Sequence, residues 1–327
     1  MKRRHFITLL GGATTWPLAA RAQLARLHRV GVLMSLSAED PESQTRLAAF
    51  VQGLQELGWM VGRNLRIDTR WGAGKAELYR KFAAELVALA PDVILAGGGI
   101  TLQPLLQATM TLPIVFASTT DPVAEGAVES LARPGGNATG FMNFEYGISS
   151  KWLELLKQLA PAVRRVAVIR DPTILAGGGQ LGALQTAAPS FGVELTPVGT
   201  RSAGEIERGI TEFARAGNGG LVVPASAVAS VHRDLIVMLA ARNRLPAVYA
   251  NHVFADAGGL ISYGPDTAEQ YRLAAGYVDR ILKGEKPADL PVQAPTKFQT
   301  IVNLKAAKGI GIDVPPSLLA RADEVIE

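Results

Sequence analysis

The chain has 327 residues, no cysteine and a formal net charge of +4, from 33 Lys and Arg against 29 Asp and Glu. The missing cysteines exclude disulfides, thiolate metal sites, thiol nucleophiles and lipid attachment at an N-terminal cysteine. With 48% apolar and 19% charged residues the composition is that of a packed globular protein, and its length favours two domains.

Residues 1–22 read as an export leader. Lys2, Arg3 and Arg4 give a charged start, an uncharged and largely apolar stretch follows over 6–20, and Ala20-Arg21-Ala22 forms a small-x-small cleavage signal. The paired arginines ahead of Phe6-Ile7 resemble a twin-arginine signal, with the general secretory route as the alternative. The stretch is too short for a membrane span and contains Gly11, Gly12 and Pro17. The expectation is cleavage after about Ala22 and a protein free in the periplasm, without a membrane anchor. Removing Lys2, Arg3, Arg4 and Arg21 leaves 29 basic against 29 acidic side chains. No basic run remains, so no nucleic-acid partner is expected.

Beyond the leader, strand-like and helix-like segments alternate. Short β-branched runs fall at 29–34, 65–69, 92–95, 113–116 and 138–141, with amphipathic segments near 43–58, 75–90 and 101–109 between them. A helix at 149–159 leads into the same order again. Strands at 165–169, 193–195, 220–223, 246–249 and 259–263 are separated by helices near 180–191, 203–216 and 229–243. Such βαβ succession means parallel sheets with right-handed crossovers. The near-continuous apolar runs are those of strands covered on both faces. A helix over 267–283, a proline-rich stretch over 286–295, a strand near 300–302 and a short helix near 304–309 complete the chain. The fold class expected is α/β, with two Rossmann-like lobes.

In open parallel sheets, ligands sit beyond the carboxyl ends of the strands. That rule selects Ser35 and Leu36, Gly97 and Gly98, and Ser118, Thr119 and Asp121 in the first half. In the second half it selects Asp171 and Thr173, Pro224 and Ala225, and Asn251. Asn143, Phe144 and Tyr263 lie where the chain would pass between halves. Small residues and hydroxyls dominate, charges are few, and aromatics supply apolar walls, which describes a recognition surface. Ser118–Asp121 before Pro122 also reads as a helix cap, Asp171-Pro172 as a turn, and Tyr263 as hinge packing. None of His5, His28, His232 and His252 has metal-ligand spacing, and neither metal nor cofactor is expected.

Longer stretches resemble one family. The segments 116–123 (FASTTDPV), 130–140 (SLARPGGNATG), 258–264 (GGLISYG), 281–291 (ILKGEKPADLP) and 303–308 (NLKAAK) are similar to those of the ABC-transporter substrate-binding proteins that take up tryptophan or related aromatic amino acids. The resemblance covers essentially the whole chain after the leader. It implies a type I periplasmic binding protein, with two lobes joined by three crossover segments near 142–147, 263–267 and 290–297. Lobe 1 would comprise 28–142 plus 265–290, and lobe 2 would comprise 147–262 plus 296–327. The stretch 171–179 (DPTILAGGG) is longer than the Asn-Pro-type turn common in that family. An amino-acid ligand would need a partner for its ammonium group, for which Asp121, Asp171, Glu145 and Asp266 are candidates.

The resulting expectation is a monomeric, non-enzymatic solute-binding component of an ABC importer. It would clamp one amino acid or aromatic compound between its lobes and meet a permease in the inner membrane. One alternative is a periplasmic sensor that signals through a membrane receptor, which only the partner would distinguish. A two-domain α/β transferase is the other. Against it, the chain has no GxSxG elbow, no GxxxxGK[ST] loop and no GxGxxG after its first strand.

Overall fold

The computed structural model describes residues 27–170 and 175–327. The leader 1–22 and the candidate residues Asp171 and Thr173 lie outside the described residues.

The first lobe is built on β1 (His28–Met34), β2 (Leu65–Trp71), β3 (Val93–Gly97), β4 (Ile114–Thr119) and β5 (Ala138–Met142), all parallel in the order β2-β1-β3-β4-β5. Helices α1 (Pro41–Glu56), α2 (Ala76–Ala88) and α3 (Gly99–Ala108) connect β1 through β4, and β4 reaches β5 through turns. Side chains alternate across each strand, so one sheet serves two cores. Val30, Val32, Val93 and Leu95 pack with Phe50 and Leu54 of α1 on one face. Leu33, Ile94 and Ala96 pack with Leu86, Leu102 and Leu105 of α2 and α3 on the other. That double coverage explains the unbroken apolar runs in the sequence.

The second lobe repeats the plan. Its strands β6 (Arg165–Arg170), β7 (Glu194–Gly199), β8 (Gly219–Val223), β9 (Ala247–Tyr249) and β10 (Ile261–Pro265) run in the order β7-β6-β8-β9-β10. The register echoes as well. Val32 of β1 lies between Thr69 of β2 and Leu95 of β3, and Ala167 of β6 lies between Thr196 of β7 and Leu221 of β8. The helices are α4 (Ile148–Leu159), α5 (Leu175–Phe191), α6 (Ala203–Ala214), α7 (Ala227–Val231), α8 (Arg233–Arg242) and α9 (His252–Asp256).

The single helix expected near 229–243 is two. His232, at φ −99° and ψ 19°, leaves helical geometry and separates α7 from α8. Ser226 starts α7 by accepting the Ala229 N–H at 3.2 Å. Helix α9 and a final three-residue strand, β12 (Glu324–Ile326), are too short for periodicity to reveal.

Three segments cross between lobes. The first runs from Met142 to Ile148. The second is at Asp266, where β10 of lobe 2 gives way to α10 (Thr267–Leu282), which packs on lobe 1. The third lies over 294–297. Contact between α10 and α1 is close: a Cβ on Gly53 would lie 2.8 Å from the Arg272 carbonyl oxygen and 2.9 Å from Ala275 Cβ. Residue Gln293 still pairs with lobe 1, accepting the Met142 N–H at 2.9 Å. After it β11 (Phe298–Asn303) adds antiparallel to β10, followed in the chain by α11 (Leu304–Ile310) and α12 (Pro316–Leu319). Side chains brace the crossings. Trp152 Nε1 donates to the Tyr263 carbonyl at 2.8 Å, Gln270 Nε2 to the Met142 carbonyl at 2.6 Å, and Gln299 Nε2 to Asp266 Oδ2 at 3.0 Å.

Candidate functional site

The carboxyl ends of both sheets face one cavity of about 410 Å³. Lobe 1 contributes Ser35 and Leu36 after β1, Gly98 and Gly99 after β3, Ser118 at the end of β4 with Thr120 just beyond it, and Asn143 after β5. Lobe 2 contributes Ala225 and Ser226 after β8 and Asn251 after β9.

Local geometry explains several of these residues. Gly98 has φ 109°, and a Cβ there would lie 2.7 Å from Ser35 Oγ, so only glycine lets β3 turn into α3 this close to β1. Ser118 has φ 63°, a left-handed conformation that costs a non-glycine residue about 1–2 kcal/mol. Asn143 holds it: its Nδ2 donates to the Ser118 carbonyl at 3.2 Å and to Ser118 Oγ at 3.1 Å, and its N–H donates to the Thr119 carbonyl at 2.8 Å. The same Asn143 leaves its buried Oδ1 without a partner.

A charged group forms one side of the cleft. Asp40 caps α1 by accepting the Glu42 N–H at 3.0 Å, and the first turns then place Glu42 and Arg46 on one face. Arg46, 6% exposed, donates from Nε to Glu42 Oε1 at 2.6 Å and sits over the Tyr271 ring, 5.9 Å from its centroid. From lobe 2, His252 Nε2 reaches Glu42 Oε2 at 3.0 Å, and Arg233 pairs with Asp40 at 2.7 Å. These two contacts tie the lobes together across the mouth. Burial works against the Glu42 carboxylate, but Arg46 and His252 outweigh it and hold its pKa down at about 2. Burial likewise opposes a charged His252, and Glu42, with help from Asp256, overcomes this and raises its pKa.

Of the residues selected from the sequence, Ser35, Leu36, Gly98, Ser118, Asn143, Ala225 and Asn251 line the cavity. The others sit elsewhere. Gly97 is packed beneath Met34 and the Tyr271 hydroxyl. Thr119 and Pro224 are buried beside lining residues. Phe144, 1% exposed, packs edge-on against Tyr146 and beside Trp152, in the first crossing. Tyr263 stacks on Phe298 with ring centroids 5.7 Å apart, so it belongs to the hinge strands. The ammonium candidates are also placed: Asp121 accepts the Tyr146 hydroxyl and the Ala124 N–H, Asp266 caps α10 and holds Gln299, and Glu145 is exposed.

The lining residues that sequence reasoning missed include Arg46, Gln103, Glu125, Val228 and Phe254. One signal was available. Arg46 lies on the buried stripe of α1 with Ser43, Phe50, Gly53 and Leu54, and a charge on an apolar stripe marks either an ion pair or a site. Among the described residues, no group of three or more His, Cys, Asp or Glu is placed to hold a metal ion, and no helix is long and apolar enough to cross a membrane.

Two α/β lobes with echoing parallel sheets and a shared cleft define the architecture of a two-lobed binding protein. The family described as ABC transporter substrate binding protein matches residues 29–326, and the chain belongs to that family. A tyrosine-binding protein of Clostridioides difficile is 25% identical over 272 residues, covering 83% of this chain and 78% of that protein. Two solved structures are each 25% identical, each covering 91% of this chain and 99% of its own. The complex of an ABC domain with L-Trp from Streptococcus pneumonia superposes with a TM-score of 0.85, and a ligand-free, open substrate binding protein with adhesive properties from Clostridium difficile with 0.69. At equal identity and coverage, the TM-score is higher to the L-Trp complex.

Proposed function

We propose that this protein is the extracytoplasmic solute-binding component of an ABC importer. It is exported by the leader 1–22, works as a monomer, and clamps one amino acid or aromatic compound between its lobes for delivery to an inner-membrane permease. The observation that carries this reading is the cavity walled by both sheets at their carboxyl ends. Its volume falls in the range of about 300–1,000 Å³ usual for small-molecule sites. The higher TM-score to the L-Trp complex than to the open, ligand-free relative supports a lobe placement suited to a held solute. The names of the relatives support an aromatic amino acid as the first ligand to try.

Ligand that binds only the closed form shifts the population toward it, so affinity reflects contacts less the cost of closure. Micromolar affinity, about −8 kcal/mol, is the expected order. The test is a thermal-shift screen of the leaderless protein over amino acids, aromatic acids, amides and nucleosides. Ligand at 100 times Kd stabilises by about 2.7 kcal/mol, a rise of several degrees in Tm. The expected result is one ligand class that raises Tm, binds one per chain and is returned unchanged. Consumption of the ligand, or no rise with any class, overturns the reading.

A further inference from the structure

A second cavity, of about 260 Å³, lies in lobe 2 between α8 and α11 and shares no lining residue with the cleft. Its wall is apolar, with Val237 and Ala240 from α8, Leu260 ahead of β10, and Ala306 and Ile310 from α11. Three polar side chains interrupt that wall: Asn303, Tyr249 and Lys305. Asn303 is committed, its Oδ1 accepting the Ala306 N–H at 2.9 Å and its Nδ2 donating to the Ala255 carbonyl at 3.3 Å. Tyr249 is uncommitted, although it is only 1% exposed. Its ring is fixed by stacking on Phe254, with centroids 4.9 Å apart and 11° between the planes, and a Cβ on Gly259 would lie 2.7 Å from its Cε2. No described group bonds its hydroxyl, and that hydroxyl, unlike the one of Tyr271, is not sealed from solvent. Tyr249 lines this cavity and not the cleft, so its unpaired O–H opens here. Buried polar groups are nearly always paired, so a fixed, unpaired O–H in a ligand-sized space calls for an acceptor.

Burial pushes the Tyr249 pKa up, which keeps the phenol a proton donor at neutral pH. Lys305, exposed on the first turn of α11, is the one charged residue on the wall and makes no ion pair with a described residue. Both groups suit an anion, and no carboxylate on the wall answers an ammonium group. An apolar cavity of about 150 Å³ admits benzene, so this one has room for a ring and a short acid arm. We propose that lobe 2 carries a second small-molecule site, for a monocarboxylate with an apolar body. The body lies between α8 and α11, the carboxylate accepts from the Tyr249 hydroxyl, and the Lys305 ammonium, on its flexible stem, supplies the counter-charge. The site is separate from the cleft and does not rest on the solute-binding reading.

The test titrates the leaderless protein with phenylacetate, 3-phenylpropionate and the neutral phenylacetamide, followed by ligand-observed NMR. Three variants separate this site from the cleft. Gly309→Leu fills the cavity from α11: Gly309 lines it, a Cβ there meets nothing within 4 Å, and leucine favours a helix over glycine. Tyr249→Phe removes the hydroxyl and keeps the stack on Phe254. Lys305→Met removes the charge at an exposed position. The expected results are that wild type binds at least one of the carboxylates, that the amide binds at least about fivefold more weakly, and that Gly309→Leu abolishes this binding. Tyr249→Phe and Lys305→Met should each weaken the carboxylate by about three- to tenfold. The ligand-free Tm of each variant checks its folding. No binding of either carboxylate at millimolar concentration, equal binding of the amide, binding that survives Gly309→Leu, or unchanged affinity in Tyr249→Phe or Lys305→Met would overturn the inference. None of these results bears on the cleft, whose own screen stands or falls separately.

Discussion

The two walls of the cleft are built from the same strand order but from different chemistry. The lobe 1 wall holds charge and constraint: Arg46 and Glu125, a left-handed Ser118, and Asn143 bonding it on two sides. Lobe 2 offers Ala225, Ser226, Ala227 and Val228 around the start of α7, together with Asn251 and Phe254. No Lys, Arg, Asp or Glu of lobe 2 lines the cavity among the described residues. In lobe 2 the charges His252 and Arg233 sit at the mouth, where they reach the start of α1. A fold that doubles one unit therefore need not double its task. The charged wall suits reading the ligand's polar groups. The small, uncharged wall suits closing over it, because little must be desolvated when it does.

The largest effect that would sharpen this contrast is expected at Arg46. Replacing it with Ala leaves Glu42, 7% exposed, facing His252 alone in a buried setting. Breaking a buried pair from one side costs about 3–5 kcal/mol. Thermal denaturation should show the loss, and ligand binding should fall with it. The double replacement Glu42→Leu with Arg46→Met separates the two, since an apolar pair of similar size can be neutral for stability. It should recover most of the Tm and none of the binding. Full recovery of binding in that double variant would mean that the lobe 1 charges do not read the ligand.

Much of the fold was legible in the sequence because every central strand is covered on both faces. The run at 29–34 sends Val30 and Val32 to one core and Leu33 to the other, and such runs declare parallel strands. Part of the cavity lining was legible, in several places to within one residue. Ser118 faces the cavity while Thr119 is buried, and the same holds for Asn143 against Phe144 and Ala225 against Pro224. Neighbouring side chains in extended backbone point opposite ways, the left-handed Ser118 breaks even that alternation, and composition does not say which way each points. Arg46 and Gln103 were invisible to a rule about strand ends, because they come from the turns of α1 and α3. Tyr263 carries a binding residue's chemistry, but its ring is taken up by Phe298.

A smaller effect tests the mouth. The Glu42 pKa is lowered to about 2 from 4.5, so its contribution to the folded, closed form is complete above about 4.5 and is lost as pH falls toward 2. His252 is raised from 6.5, so its contribution is complete below about 6.5 and is lost as pH rises through the raised value. Both charges therefore act in full between about pH 4.5 and 6.5. His252→Gln should lower the ligand-free Tm at pH 5.5, and the gap from wild type should close as pH rises past the raised pKa. A gap that stays constant from pH 5.5 to 9 would show that the Glu42–His252 contact adds nothing through charge.

The smallest expected effect is on the lobe 2 wall. Ser226 lines the cavity and caps α7, its Oγ accepting the Ala229 N–H at 3.2 Å. Removing such a cap with Ala costs about 1 kcal/mol, whereas Gly, which frees the backbone for solvent, costs only a few tenths. Ser226→Ala and Ser226→Gly should therefore differ in Tm by one to a few degrees, about the shift that 1 kcal/mol gives in a chain of this size. If lobe 2 mainly closes, both variants should bind ligand with affinities within about threefold of wild type, because the hydroxyl is committed to its own helix. A tenfold loss common to both variants would mean that the hydroxyl meets the ligand directly. Lobe 2 would then share in recognition, and the contrast between the two walls would have to be redrawn.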